Sequence, residues 1–385
     1  MGKYRQRVLH LRQLTWRAVF ILVVANPAFA APNDPLDNDA QEHLRQQERE
    51  RQLRGQQEIR PDERKPELAA TPPVLEYPDK ESPCFSISSI QLIGDAAPEF
   101  QFALTEVTKG KHKAIGRCLG AEGLNVAMSH MQNAVIAKGF VTTRILAAPQ
   151  DLKTGHLVLT VIPGRVRQVR FTEDSSTRAN KWNAVPIQSG DILNLRNIEM
   201  GLENLKRAPT AEADIQIEPA NDNNAIPVKG MSAKCPPQCG DLGAKPGESD
   251  IVIRYRQRIP FRVSVSADDG GFDSTGKYQG GVTLSGDNLL ALNDLFYVNY
   301  NHDLGGGDSG GLGSKGTAAH YSVPYGYWLV GFNTSNYDYH QQVAGSTQSY
   351  VYSGRSQNSD VKLSYMAYRD AINKTIVSVR HFTLR

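Results

Sequence analysis

Hydrophobic positions change their period several times along the chain, and the changes cut it into distinct segments. A short unbroken apolar run, Ala18-Val-Phe-Ile-Leu-Val-Val-Ala25, is followed by the small-x-small triplet Ala28-Phe29-Ala30. Such a run is far below the ~20 residues that span a bilayer, so residues 1–30 predict a secretory signal peptide cut between Ala30 and Ala31. Residues 31–60 are polar, and from Asp39 to Arg54 only Leu44 and Leu53 are large and apolar. Pairs such as Glu42 with Gln46 and Glu50 with Arg54 support a helix here at about 0.2–0.5 kcal/mol each. Without an apolar stripe it cannot dock on an ordinary core. It is either a solvated helix or arm, or a helix lodged in a polar, water-filled lumen. Residues 61–83 form a linker rich in proline, including Pro61, Pro66, Pro72, Pro73, Pro78 and Pro83.

From Cys84 the pattern turns to compact α+β. Phe85 to Ile93 reads as a strand, and Leu124, Met128, Met131 and Val135 step by helical spacing up to Gly139. Thr142 to Leu146 and His156 to Ile162 predict a hairpin. The order then recurs, with a strand at Arg167 to Phe171, a helix carrying Leu195, Ile198, Leu202 and Leu205 on one face, and strands at Asp214 to Ile217 and Asp250 to Ile253. Residues 84–164 and 165–258 are thus a tandem repeat of about 80 residues. The second copy carries an irregular insert, 219–247, that holds Cys235 and Cys239.

After Pro260 the period falls to two. Eight alternating segments, roughly 261–269, 277–287, 294–304, 317–324, 327–340, 348–356, 360–369 and 374–384, each come near the ~9–11 residues of a tilted membrane strand. Their connections alternate between a long glycine-rich stretch, Gly305 to Gly316, and tight turns at Asn288 to Asn293 and Val323 to Gly326. Composition sharpens this: residues 251–385 hold 13 of the 15 Tyr, 17 of the 33 Gly and no Glu. A soluble β-sandwich is the alternative; the signal peptide, the tyrosines and the loop asymmetry favour a transmembrane antiparallel β-barrel over 259–385. Charge removes another class of partner, because the formal +3 becomes −2 once the five basic residues of the signal are gone. No basic excess then argues for nucleic acid.

Four stretches together resemble the transporter subunits of two-partner secretion, the ShlB/FhaC/HecB (TpsB) family of haemolysin secretion and activation proteins. They are Cys84-Phe-Ser-Ile-Ser-Ser-Ile with Gly116-Arg-Cys-Leu-Gly120; Lys138-Gly-Phe-Val-Thr-Thr-Arg144 with Gly155 to Gly164; Asp191 to Leu205; and Tyr321-Ser-Val-Pro-Tyr-Gly-Tyr-Trp328 with Ser353-Gly-Arg-Ser356. The resemblance implies a plug-like N-terminal helix and two periplasmic POTRA domains of β-α-α-β-β order, ahead of a barrel in the Gram-negative outer membrane. It also implies secretion or activation of a large haemolysin-, adhesin- or contact-dependent-toxin-like partner bearing an N-terminal secretion domain. Contact with outer-membrane lipid and with the barrel assembly machinery goes with that role. A disulfide between Cys84 and Cys118 is implied as well, worth ~3–4 kcal/mol in the chain-entropy view.

The family barrel has sixteen strands and a Val-Arg-Gly-Phe/Tyr loop, whereas this chain holds about the first eight and ends in Arg385. Eight strands close around an interior filled by side chains, and left open they expose unpaired edges to lipid. Two further functions are therefore weighed: a truncated fragment acting only as a periplasmic POTRA binding module, and a passive porin.

Candidate chemistry is that of binding. An exposed POTRA edge at Thr142, Thr143, Arg144, Ile145 and Leu146 could take an unfolded partner as an added strand, with Leu195, Leu202 and Leu205 near a second groove. The alternative for the leucines, by their helical spacing, is the domain core. Arg254, Arg256, Arg258 and Arg262 alternate at the barrel entry, facing lipid headgroups, an incoming chain or solvent. Cys235 and Cys239 predict a small local disulfide ring, since two cysteines without a nearby His are an incomplete zinc site. Gly307-Asp-Ser-Gly-Gly311 and Thr317-Ala-Ala-His320 mimic protease boxes, but His320 follows Ser309 by eleven residues in a loop that nothing rigidifies. No enzyme activity, catalytic residue, metal or cofactor is expected.

Overall fold

The computed structural model describes residues 35–58, 61–64, 75–220 and 247–384. The predicted cleavage at Ala30–Ala31 and the Cys235–Cys239 ring lie outside them. Helix α1, Pro35–Gln57, falls within the polar segment 31–60 that predicts it.

In the first α+β unit the two-residue strand β1 (Phe85–Ser86) pairs with β3 (Cys118–Leu119). A separate three-stranded sheet has the order β2 (Ser89–Ile93), β5 (His156–Ile162), β4 (Arg144–Leu146), with β2 parallel and β4 antiparallel to β5. Helices α2 (Gln101–Thr108) and α3 (Ala121–Ala137) cover this sheet. Alternation in β5 sends Leu157, Leu159 and Val161 into the core against Phe100, Met131 and Val135. Of the predicted helix face, Leu124 and Met128 flank that core rather than fill it. The predicted strand from Thr142 starts only at Arg144, because residues 141–142 form a turn after the α3 terminus at Gly139.

The second unit has strand order β6 (Arg165–Phe171), β8 (Glu248–Gln257), β7 (Ala211–Pro219), with helix α4 (Leu195–Lys206) packed on it. Its first expected helix is replaced by turns over 172–194. The backbone there bonds to β8 instead, Thr172 N–H to Ile253 O and Ser176 N–H to Tyr255 O, each at 2.8 Å. The segment Thr172 to Asn183 is rich in Ser, Thr, Asp and Asn, which favour such local turns over helix.

The barrel region is one antiparallel meander of seven strands: β9 (Phe261–Asp268), β10 (Tyr278–Asp287), β11 (Leu295–Gly305), β12 (Gly313–Tyr325), β13 (Trp328–Ala344), β14 (Ser349–Arg369) and β15 (Lys374–Leu384). Two segments predicted as separate strands, 348–356 and 360–369, are one strand of 21 residues. The polar triplet Gln357-Asn358-Ser359 imitates a turn but pairs in register with Asn336, Ser335 and Thr334. Polar residues continue a strand when the face they border is itself polar. That is the case here, for polarity is inverted relative to a soluble sheet. Exposed Val263, Leu284 and Val298 stand opposite one another on β9, β10 and β11, as do Phe332 and Val361 on β13 and β14. The opposite face buries Gln279, Thr283, Ser285, His320 and Ser322. Apolar outside and polar inside is the pattern of a membrane barrel wall. The outer strands β9 and β15 are not joined, so the sheet is open between them.

Candidate functional site

The concave polar face of the meander is occupied by the second half of α1 and the residue after it. Arg49 donates to Gln279 at 3.0 Å and Arg54 to Asn333 at 3.1 Å. Gln57 Oε1 accepts from Arg262 at 2.9 Å and from Ser285 at 2.7 Å, while Glu58 Oε1 lies 3.1 Å from His320 Nε2. The Arg45 guanidinium sits 3.6 Å over the Phe272 ring. A helix with no apolar stripe is thus held by charge and hydrogen bonds, one side chain per turn of contact. Beside it remains a cavity of about 920 Å³, lined by Glu50, Arg54, Glu58, His320, Asp360 and Arg380 among others. His320, read as a protease-like base, is engaged by Asn333 at 2.6 Å and Ser322 at 3.0 Å. It belongs to this polar lining, and Ser309 lies in the loop before β12.

At one end of the meander, three tight connections dock on the second unit. In the first, 288–294, Asn288 and Asn293 adopt positive φ and donate through their side-chain amides to Arg178 O at 3.1 Å and Asn180 O at 2.9 Å. In the second, Gly326 N–H donates to Asn183 O at 2.7 Å, and Asn204 on α4 donates to Gly326 O at 2.8 Å. The third, 370–373, is braced by Asp370, whose carboxyl the N–H groups of Asn373 and Ile372 hold well below the usual carboxylate range. Beside that turn Arg369 and Lys374 meet α4. Arg369 pairs with Glu199 and Glu203 at 3.0 Å each, all three carrying side chains that are nearly or fully buried. Lys374 pairs with Glu203 and, at 2.6 Å, with Asp62, and Lys206 holds Glu63 at 2.6 Å. The Lys374 contact, opposed by partial burial and aided by Arg64, lowers the Asp62 pKa. The short run 61–64 is therefore tied between α4 and the third turn.

The first unit presents β4 as the outer strand of its sheet, with only β5 as neighbour. Arg144 and Leu146 are exposed on it, whereas Ile145 and Thr143 are buried. Thr143 Oγ1 accepts from Gly164 N–H at 3.1 Å, and Thr142 packs at the same point, so both serve the joint between the two units. Leu195, Leu202 and Leu205 are fully buried in the second core. Of the two readings, contact with a partner near a second groove or the domain core, their burial favours the core, because helical spacing turns them inward. Cys84 and Cys118 are bridged, with Cα atoms 5.3 Å apart. Arg254 and Arg256 contact Asp174, Arg258 meets Glu212, and Arg262 pairs with buried Asp287. The hydrogen bonds of Arg256 and Thr172 hold the Asp174 carboxyl down at about 2. Sequence reasoning missed Glu203, Arg369 and Lys374, which only the turn of the meander brings together.

Three family models cover this architecture in order. A POTRA domain of ShlB type matches residues 85–164, a second POTRA model matches 165–219, and the model described as haemolysin secretion/activation protein ShlB/FhaC/HecB matches 247–383. The chain is 35% identical over 320 residues to the outer membrane transporter CdiB-2 of Burkholderia pseudomallei, covering 78% of this chain and 50% of that protein. It thus spans about half the length of the curated relatives it matches. Among solved structures it is similar to CdiB from Acinetobacter baumannii, with TM-score 0.73 and 26% identity over 92% of this chain and 64% of that one. CdiB from Escherichia coli gives TM-score 0.65 and 27% identity, covering 92% and 61%.

Proposed function

The chain belongs to the ShlB/FhaC/HecB family of haemolysin secretion/activation proteins, and from that premise we propose that it works as the outer-membrane transporter of a two-partner secretion pair. Its POTRA units sit in the periplasm and its meander forms barrel wall, inserted in outer-membrane lipid by the barrel assembly machinery. The cargo is a large haemolysin-, adhesin- or contact-dependent-toxin-like protein with an N-terminal secretion domain. Unfolded cargo adds along Arg144–Leu146, the outer strand of its sheet, by displacing the Gln132 side chain that accepts from Ile145 N–H and donates to Thr143 O, with Leu146 as an apolar contact. Transfer itself needs no catalytic residue, metal or cofactor.

The observation that carries this reading is the polar helix seated by polar contacts on the inner face of an apolar-out sheet, directly behind two POTRA units. A polar wall that seats a helix through side-chain contacts offers the same donors and acceptors to an extended chain. The test is to express the protein with the gene of its cargo in a strain lacking both, and to measure cargo at the cell surface. Cargo should appear there only with the transporter. Cargo bound but left in the periplasm would favour the binding-module alternative, and small-solute leakage without cargo export would favour a porin.

A further inference from the structure

The loop that replaces the first helix of the second POTRA unit carries Trp182, 68% exposed. This indole is not on a loose tether. Asn180, Asn183 and Arg178 on either side of it bond to backbone carbonyls of the 288–294 turn, and Asn183 also donates to Pro324 O at 2.9 Å. Asn180 Oδ1 accepts from the Trp182 N–H at 2.9 Å, which fixes the local turn. The ring is therefore held out by a rigid frame, and among the described residues its aromatic neighbour is Tyr325, edge-on at 5.4 Å.

Tyr325 identifies the surface on which Trp182 stands. It is the last outward position of β12 and is 56% exposed; it pairs with Trp328, which in turn pairs with Tyr365 at a ring distance of 4.4 Å. From Trp328 the exposed side continues through Val330 and Phe332, the apolar band of the barrel wall. Aromatic rings at the end of such a band mark the level of the lipid headgroups, where an indole buries its ring and keeps its N–H wet. Trp182 extends that row from the barrel onto the periplasmic domain without a break.

We propose that Trp182 inserts into the periplasmic leaflet of the outer membrane beside the barrel, so that the second POTRA unit is seated on lipid as well as on the barrel turns. The partner is a phospholipid surface, recognised through an amphipathic ring at the acyl–headgroup boundary. This inference rests on the barrel reading above, and the experiment separates the two. The full chain is reconstituted in vesicles of phosphatidylcholine brominated near the glycerol end of the acyl chains, and tryptophan emission is compared with that in unbrominated vesicles. Trp16→Phe with Trp328→Phe leaves Trp182 as reporter, and Trp16→Phe with Trp182→Phe leaves Trp328. Both reporters should be quenched, and Trp182 less so when bromine sits near the methyl end. Quenching of Trp328 with none of Trp182 overturns the proposal and leaves the barrel reading standing; quenching of neither overturns both. Should Trp328→Phe fail to fold, the quenched emission that disappears when Trp182→Phe is added to Trp16→Phe gives the same decision.

Discussion

Glu81 shows how much of the first unit hangs on a single side chain. Its carboxylate accepts from the N–H groups of Gly120, Glu122 and Gly123 at 2.6, 2.7 and 3.0 Å, capping α3 from outside the helix. Against a desolvation that would raise it, these donors hold the pKa below its usual value of 4.5. Glu81→Ala should cost about 1 kcal/mol of unit stability in urea unfolding, as lost caps do. The contribution is present above the ordinary carboxylate range and should vanish as pH falls through the lowered value. His130 acts in the same direction at higher pH. Burial and the stacked His112 ring, 3.8 Å away, lower its pKa from 6.5. The unfolded chain therefore takes up its proton first, and the first unit should lose stability as pH falls below about 6.5, a slope that His130→Gln flattens. Met131 and Val135 were legible from spacing alone. Glu81 was not, because it caps a helix from 39 positions upstream and no local pattern links the two.

At the scale of elements, α4 is amphipathic in an unusual way. Its leucines enter the core, and the side that spacing reads as solvated carries Glu199 and Glu203 into a buried contact with Arg369 and Lys374. Breaking a buried pair by removing one partner strands the other charge, so Glu203→Ala should destabilise the junction by about 3–5 kcal/mol. Limited proteolysis near residues 61–64 should report it as faster cutting. The control is Asp174→Asn, which removes an exposed, solvent-screened partner of Arg256 and should leave the cutting rate unchanged. Periodicity predicted the strands of the meander well where turns are tight, and failed at residues 357–359, where a polar run faces a polar interior instead of reversing direction. At 172–194 it was the resemblance, not periodicity, that implied a helix, and bonds to β8 take its place.

The whole molecule places a polar helix on a polar concave wall, one of the two environments that its sequence allowed. Choosing between them required the inward faces of several strands at once. Gln57 Oε1 and Ser285 Oγ, 2.7 Å apart, allow a test of whether the helix must leave that wall for export. A Gln57→Cys, Ser285→Cys pair joined by a short reductant-cleavable bis-thiol reagent, which spans the length of the removed glutamine side chain, should lower cargo at the cell surface and recover it with reductant. Unchanged export by the bridged protein would show that cargo passes beside the helix, through the cavity of about 920 Å³. The family resemblance was readable from short motifs because tight turns, a paired cysteine bridge and a capped helix each demand particular residues at fixed places.

The three turns clasped by the second POTRA unit have a mechanical consequence. Strands β10 to β15 are joined in pairs at those turns, so a tilt of the unit cannot bend one hairpin alone. A load applied to the first POTRA unit would therefore reach the wall through this clasp, on three hairpins together, as a coordinated shear.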